Sequence, residues 1–213
     1  MSGVVLASAD DPSLRALAFN CSLKRGGEPS STRALLEDVG RALASHGVAL
    51  EIVDAAMFNI LPGVRADEGP GDDWPALRDK VMSADIVILG SPIWVGQQSS
   101  ISKRVLERLD AFLTEGDDSG RLPSYGKVGA AAVVGNEDGA HHVGAEIYQA
   151  LNDLGFSLAA NAMAYWVGEA RTPGEYRKLD PVPESTRDAT ALMVRNAVHL
   201  ARLLKGQGYP GKP

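Results

Sequence analysis

The sequence predicts an α/β protein built on a doubly wound, five-stranded parallel sheet with helices on both faces. Three observations carry this. Short apolar runs alternate with helical periodicities along the whole chain. Two of the runs are almost continuously apolar, as parallel strands covered on both faces require. Right-handed crossovers turn a repeated strand–helix order into a single open sheet.

The first strand is read at Leu14–Phe19, and the helix after it from Leu35, Val39, Ala42 and Leu43 on one face, closed by Gly47. Ala49–Val53 is the second strand, followed by a helix marked by Trp74, Leu77 and Val81. The apolar run Asp85–Gly90 is the third strand, and Ile101, Val105, Leu109 and Phe112 mark its helix. Val128–Val134 is the fourth, before the stripe Val143, Ile147, Leu151 and Leu154 with Gly155 as its stop. Ser157–Ala164 is the fifth, and Leu192, Met193, Ala197, Leu200 and Leu204 form the last helix. Asn59–Asp73, Glu115–Ser124 and Trp166–Glu184 read as surface loops, and the first dozen residues and Gly206–Pro213 as mobile ends. Five strands in this arrangement fit the flavodoxin-like order 2-1-3-4-5, whose ligand crevice lies beyond the carboxyl ends of the strands. No repeat or linker divides the chain, so residues 1–213 are expected to form one domain with an ordered core of about 14–205.

Composition narrows the function. The chain has 213 residues, a formal net charge of −6, 45% hydrophobic and 23% charged residues, which is a globular balance. No apolar run is long enough to cross a bilayer, and Met1–Asp11 lacks the pattern of a signal peptide. A cytoplasmic protein without membrane attachment is expected. The mild acidity, without a basic cluster, argues against nucleic acid as a partner. The single cysteine, Cys21, cannot form an internal disulfide or a multi-thiolate metal site.

Chemistry in such a sheet collects in the loops after strands one, three and four. The first, Asn20–Thr32, carries Ser22, Lys24, Ser30, Ser31 and Thr32 into a helix start. One hydroxyl would suffice to cap that helix; three, with Ser22 and Lys24, suit a phosphate cradle. A low-molecular-weight phosphatase needs Cys-x5-Arg, and that arginine position holds Gly27. A receiver domain needs acids where Asn20 and Gly90-Ser91 stand. After strand three, Pro92, Ile93, Trp94, Val95 and Gly96 offer an apolar wall with a close backbone approach, or alternatively a core or subunit contact for Trp94. After strand four, Asn136 and Gly139 belong to a tight polar loop, in which Glu137 and Asp138 read as loop-capping acids. His141 and His142 point apart on a helix and have no supporting ligand nearby, so no metal is expected.

Taken together, Asn20-Cys21-Ser22-Leu23-Lys24 with Ser30-Ser31-Thr32, Gly90-Ser91-Pro92-Ile93-Trp94-Val95-Gly96 and Gly135-Asn136-Glu137-Asp138-Gly139 resemble the flavodoxin-like NADPH-dependent FMN reductase and NAD(P)H:quinone oxidoreductase family between Leu14 and Leu204. The first motif is similar to the family's Ser-x-Arg…Ser-Asn-Thr loop, with Lys24 for arginine and Ser31 for asparagine. The second is similar to its Pro-Ile-Tyr-x-Gly loop. The chain departs in a longer first loop (Arg25–Pro29) and in lacking the cysteine cluster of the iron–sulfur branch. The resemblance implies that Ser22, Lys24, Ser30, Ser31 and Thr32 hold the phosphate of FMN, while Pro92–Gly96, Asn136 and Gly139 frame its ring. It implies hydride transfer from NADPH or NADH through FMN to a small-molecule acceptor such as a quinone or free flavin, with no protein nucleophile or base. It also implies a homodimer or homotetramer, with Trp94 and Trp166 as interface aromatics. The alternatives are a flavodoxin-type electron carrier without nicotinamide reductase activity, and an interaction protein that has lost its cofactor.

Overall fold

A computed structural model describes residues 14–170 and 174–211. The expectation of a mobile first dozen residues lies outside them. The parallel strands are β1 (Arg15–Asn20), β2 (Ala49–Asp54), β3 (Ile86–Trp94), β5 (Val128–Gly135) and β6 (Ser157–Val167), with β4 (Gln97–Gln98) a short antiparallel ribbon on β3. Their order is β2-β1-β3-β5-β6. Once the ribbon is set aside, this is the 2-1-3-4-5 order read from the sequence.

Strand alternation decides which helix covers which face. Leu17 and Phe19 point into one core with Val87, Leu89, Ala131 and Val133. That core is closed by α2 (Trp74–Ser83), α3 (Ser100–Leu109) and α4 (Ala140–Asp153), through Trp74, Leu77, Val105, Leu109, Val143 and Ile147. Ala16 and Ala18, one residue out of phase, face the other core with Ile86, Ile88, Ala130 and Ala132. There α1 (Ser31–Ala44) and α5 (Glu184–Leu204) lie close, through Leu35, Leu36, Val39, Met193 and Ala197. The approach is tight over β3: a Cβ on Gly90 would meet Leu36 Cδ1 at 2.7 Å and the Phe19 carbonyl at 3.0 Å.

Four boundaries differ from the sequence reading. β3 runs on through Trp94 rather than stopping at Gly90, because pairing with β5 continues to Pro92↔Val134 and the ribbon then pairs Ile93↔Gln98 and Trp94↔Gln97. β6 extends to Val167, with a register break opposite Gly129–Ala131 and Asn161 at φ +55°. α5 starts at Glu184, well before the first residue of its apolar stripe. The segment from Gly206 to Gly211 does not hang free. Ser157 Oγ donates to Tyr209 Oη at 3.0 Å, and the Tyr209 ring meets Tyr125 edge-on at 5.4 Å.

The loop before α2 is surface-lying but built around a buried ion pair. Arg108 on α3 meets Asp72 at 2.7 Å, with both side chains at zero exposure. The guanidinium also donates to the Leu61 and Arg65 carbonyls, and Asp72 accepts from the backbone N–H groups of Leu61, Glu68 and Trp74.

Candidate functional site

A crevice opens at the carboxyl ends of β1, β3, β5 and β6. Its floor and one end come from Ser22, Lys24, Ser30, Ser31 and Thr32, one wall from Pro92, Ile93 and Trp94, and the next from Val134, Gly135 and Asn136. The structure therefore gathers nine of the twelve residues singled out in the sequence around one space.

The helix start is organised as a donor surface. Ser30 is the N-cap of α1, its hydroxyl accepting from Arg33 N–H at 3.2 Å. Capping thus accounts for one of the three hydroxyls. The N–H groups of Ser31 and Thr32 lie in the first turn, where an α-helix offers them no intrahelical acceptor. Ser31 Oγ accepts from Arg177 N–H at 3.5 Å, a long contact. Ser22 is the clearest feature: at 5% exposure its hydroxyl has no hydrogen-bond partner. A buried hydroxyl left unpaired costs roughly 1–3 kcal/mol, so a ligand that pairs it recovers that cost. Lys24 stands on the rim, more than half exposed and 3.7 Å from Glu28, and such an exposed pair holds it only loosely. Cys21, one residue away, is fully buried, and burial pushes its thiol pKa far above the ordinary range. It is an inert core side chain rather than a nucleophile.

Val95, Gly96 and Gly139 do not line the crevice; they build the turn beside it. Val95 (φ +53°) and Gly96 (φ +72°) form the two-residue link between β3 and β4, the φ > 0 pair that a type I′ hairpin turn requires. Val95 is a β-branched residue in a conformation that penalises it. It is held there by Glu137, whose carboxylate accepts the Val95 N–H at 2.9 Å, as expected of a loop-capping acid. Gly139 backs the same turn: a Cβ there would come within 2.9 Å of the Gly96 carbonyl. His141 packs on the Tyr165 ring, and His142 lies 3.1 Å from Gln97 Oε1. Among the described residues no cluster of three metal-ligating side chains occurs.

The sequence reading missed the fourth wall. Trp166, at the end of β6, lines the crevice with Gly174, Glu175 and Tyr176. The Trp166 and Tyr176 rings lie 5.8 Å apart, and the Tyr176 hydroxyl is anchored to Asp38 on α1. Burial, reinforced by the Asp38 carboxylate, raises the Tyr176 pKa well above the usual phenol range. A pair of aromatics in a polar stretch was the only sequence signal available, and it reads equally well as a subunit contact.

Residues 14–170 match the family model described as NADPH-dependent FMN reductase. The chain belongs to that family. It is thereby a member of a family of FMN-binding oxidoreductases on the flavodoxin-like fold. It is 32% identical over 206 residues to the 8-demethyl-8-aminoriboflavin-5′-phosphate synthase of Streptomyces davaonensis, covering 92% of this chain and 80% of that protein. The structure of RosB with bound intermediate 8-demethyl-8-formylriboflavin-5′-phosphate is similar with a TM-score of 0.84 and 31% identity, covering 92% of this chain and 82% of that one. The chain is also 37% identical over 201 residues to the divalent metal cation transporter MntH of Mycobacterium bovis. That match covers 90% of this chain but only 29% of the relative, so the chain spans less than a third of that protein's length. No helix among the described residues is long and apolar enough to cross a membrane.

The crevice fits the phosphate and ring of FMN on its own chemistry. The orphaned Ser22 hydroxyl and the open first turn of α1 supply donors for an anion at one end. Pro92, Ile93, Trp94, Val134 and Trp166 add apolar wall, with flat rings at Trp94 and Trp166, while Asn136 and Glu175 bring polar groups to the lining.

Proposed function

We propose that the chain is an FMN-dependent NAD(P)H oxidoreductase whose acceptor is a small planar molecule such as a quinone or free flavin. When bound, FMN supplies the electron-transfer chemistry. The chain binds and orients it. The observation that carries the reading is the buried, unpartnered Ser22 hydroxyl in the loop after β1, in the crevice that the start of α1 also lines. In this reading the Ser22 hydroxyl and the Ser31 and Thr32 N–H groups hold the phosphate, and Ser30 keeps that helix start in place. Lys24 adds charge from the rim. Pro92, Ile93 and Trp94 provide the platform for a ring, Asn136 brings an amide to its edge, and the Glu137-held turn at Val95–Gly96 fixes how far the platform reaches. Trp94, at 52% exposure, leaves an apolar face toward solvent where a nicotinamide or acceptor ring could stack. No side chain is assigned a proton-transfer role. The reading includes a cytoplasmic location, where reduced nicotinamide is available.

The cofactor is tested by denaturing the purified protein and separating any released flavin by chromatography. FMN is expected, because one anion site at one helix start leaves no second fingerprint for an adenylate half. Release of FAD alone, or failure to take up offered FMN, contradicts the reading. The proposal also includes a homodimer or homotetramer, with the exposed Val95 and Leu23 side chains as contact surface. Sedimentation of the flavin-loaded protein at micromolar concentration should give at least twice the chain mass; a monomer mass counts against it.

A second reading is favoured by the likeness to the aminoriboflavin-5′-phosphate synthase over nine-tenths of this chain. The riboflavin phosphate held in the crevice would then itself be chemically altered. Mass spectrometry of the flavin recovered after turnover separates the two: unchanged FMN supports the oxidoreductase, a flavin of altered mass the second reading.

A further inference from the structure

The peptide leading into Ser22 is held by a buried hydroxyl on another element. Ser99 begins α3, and its side chain accepts from Ser102 N–H at 3.1 Å, as an N-cap should. Capping needs only an acceptor. Ser99 does more: its hydroxyl donates to the Cys21 carbonyl at 2.6 Å, a contact spanning 78 residues of chain. Its own N–H donates to Ser91 Oγ at 3.0 Å, and Ser91 Oγ donates to the Pro92 carbonyl at 2.8 Å. Ser91, Ser99 and Cys21 are all buried.

The Cys21–Ser22 peptide is therefore held at both poles. Its carbonyl is fixed by Ser99. Its N–H donates to Asn20 Oδ1 at 3.3 Å, and the Asn20 amide is in turn tied to Asp54 at 2.8 Å. Cys21 N–H continues the strand ladder to the Gly90 carbonyl at 2.8 Å. A peptide plane fixed at both ends fixes where the Ser22 Cα sits, and Ser22, whose buried hydroxyl has no hydrogen-bond partner, lines the crevice. Without a donor at Ser99, the buried Cys21 carbonyl is orphaned. Rotating the peptide to find a new partner turns Ser22 with it.

We infer that Ser99 is a positioning residue for recognition of the ligand's phosphate: acting through the Cys21 carbonyl, it aims Ser22 Oγ at the anion, and through Ser91 it ties that loop to the Pro92–Trp94 wall. The inference rests on the FMN reading. It is tested by measuring dissociation constants for FMN and riboflavin, by flavin fluorescence, on the full chain and on Ser99→Gly, Ser99→Thr and Ser102→Ala. Glycine is well tolerated at an N-cap, so Ser99→Gly removes the donor and keeps the helix start. Ser99→Gly is expected to reduce the preference for FMN over riboflavin about tenfold. Ser99→Thr, which keeps the hydroxyl, should restore it. Ser102→Ala, which removes only the hydroxyl contact to Gln98, should leave it unchanged. An unchanged preference in Ser99→Gly, or equal losses for both flavins, overturns the inference. A full chain that itself shows no preference for FMN fails at an earlier step, and takes the phosphate reading down with it.

Discussion

Replacing Arg108 by Ala is expected to destabilise the protein by about 3–5 kcal/mol, the range for removing one partner of a buried ion pair. For a domain of this size that lowers Tm by about 6–20 °C. The loss is large because the guanidinium, at zero exposure, meets Asp72 and two loop carbonyls and packs 5.6 Å from the centre of the Trp74 ring. Its removal leaves a buried carboxylate and the Leu61 and Arg65 carbonyls unpaired. Arg108→Lys should recover only part, since one ammonium cannot span the fork. The pH dependence follows from Asp72. Burial raises its pKa, but Arg108 and three backbone N–H groups outweigh burial and bring it to about 2, below the usual carboxylate range. A depressed folded-state value contributes stability that is complete above the unfolded value and is lost as pH falls from about 4 toward 2. In Arg108→Ala the carboxyl loses its main opposing partner, so the gap between variant and native protein should narrow over that window. Thermal melts between pH 7 and pH 2.5 check both statements; a pH-independent gap, or a Tm loss under about 2 °C at pH 7, counts against the account.

Ser22→Ala should move stability and ligand affinity in opposite directions. In the ligand-free protein the Ser22 hydroxyl is buried and unpaired, so alanine should leave stability unchanged or raise it by about 1 kcal/mol. Binding of FMN should fall about ten- to hundredfold, as expected when a hydrogen bond to a charged group, worth roughly 1.5–3 kcal/mol, is lost. Riboflavin, which lacks the phosphate, should bind almost as before. Calorimetric melts with parallel titrations of both flavins check this. A Tm that falls together with equal losses for the two flavins would return Ser22 to a purely structural role.

What the sequence disclosed, and what it hid, follows from the range of the interactions involved. The strands and helices were legible because apolar runs and 3.6-residue periodicity are local; which residues of β1 face which core, Leu17 and Phe19 against Ala16 and Ala18, came only with the fold. The gathering of Ser22 and Ser30–Thr32 at one crevice was legible because the loop after the first strand of such a sheet lies beyond the strands' carboxyl ends. The continuation of β3 through Pro92 was hidden, since a Ser-Pro step reads as a loop unless its partner strand is known. Nothing local marks Arg108 on its helix or Asp72 in the Asn59–Asp73 loop; only folding brings them across 36 residues into a dry contact. Ser99 carried no signal beyond capping, because its second partner, Cys21, lies on another strand. Trp166 and Tyr176 are separated by a polar stretch, and their shared wall is set by the hydroxyl of Tyr176 reaching Asp38 on α1.

The central claim, that the crevice holds FMN where a nicotinamide can reach it, is tested most directly by anaerobic stopped-flow mixing of the FMN-loaded protein with NADPH and, separately, NADH. The account predicts rapid bleaching of the flavin absorbance by at least one of them with no partner protein present, and return of the oxidised spectrum on adding a quinone or free FMN. A stable complex with FMN whose spectrum neither nicotinamide alters would contradict it and leave the electron-carrier alternative in its place.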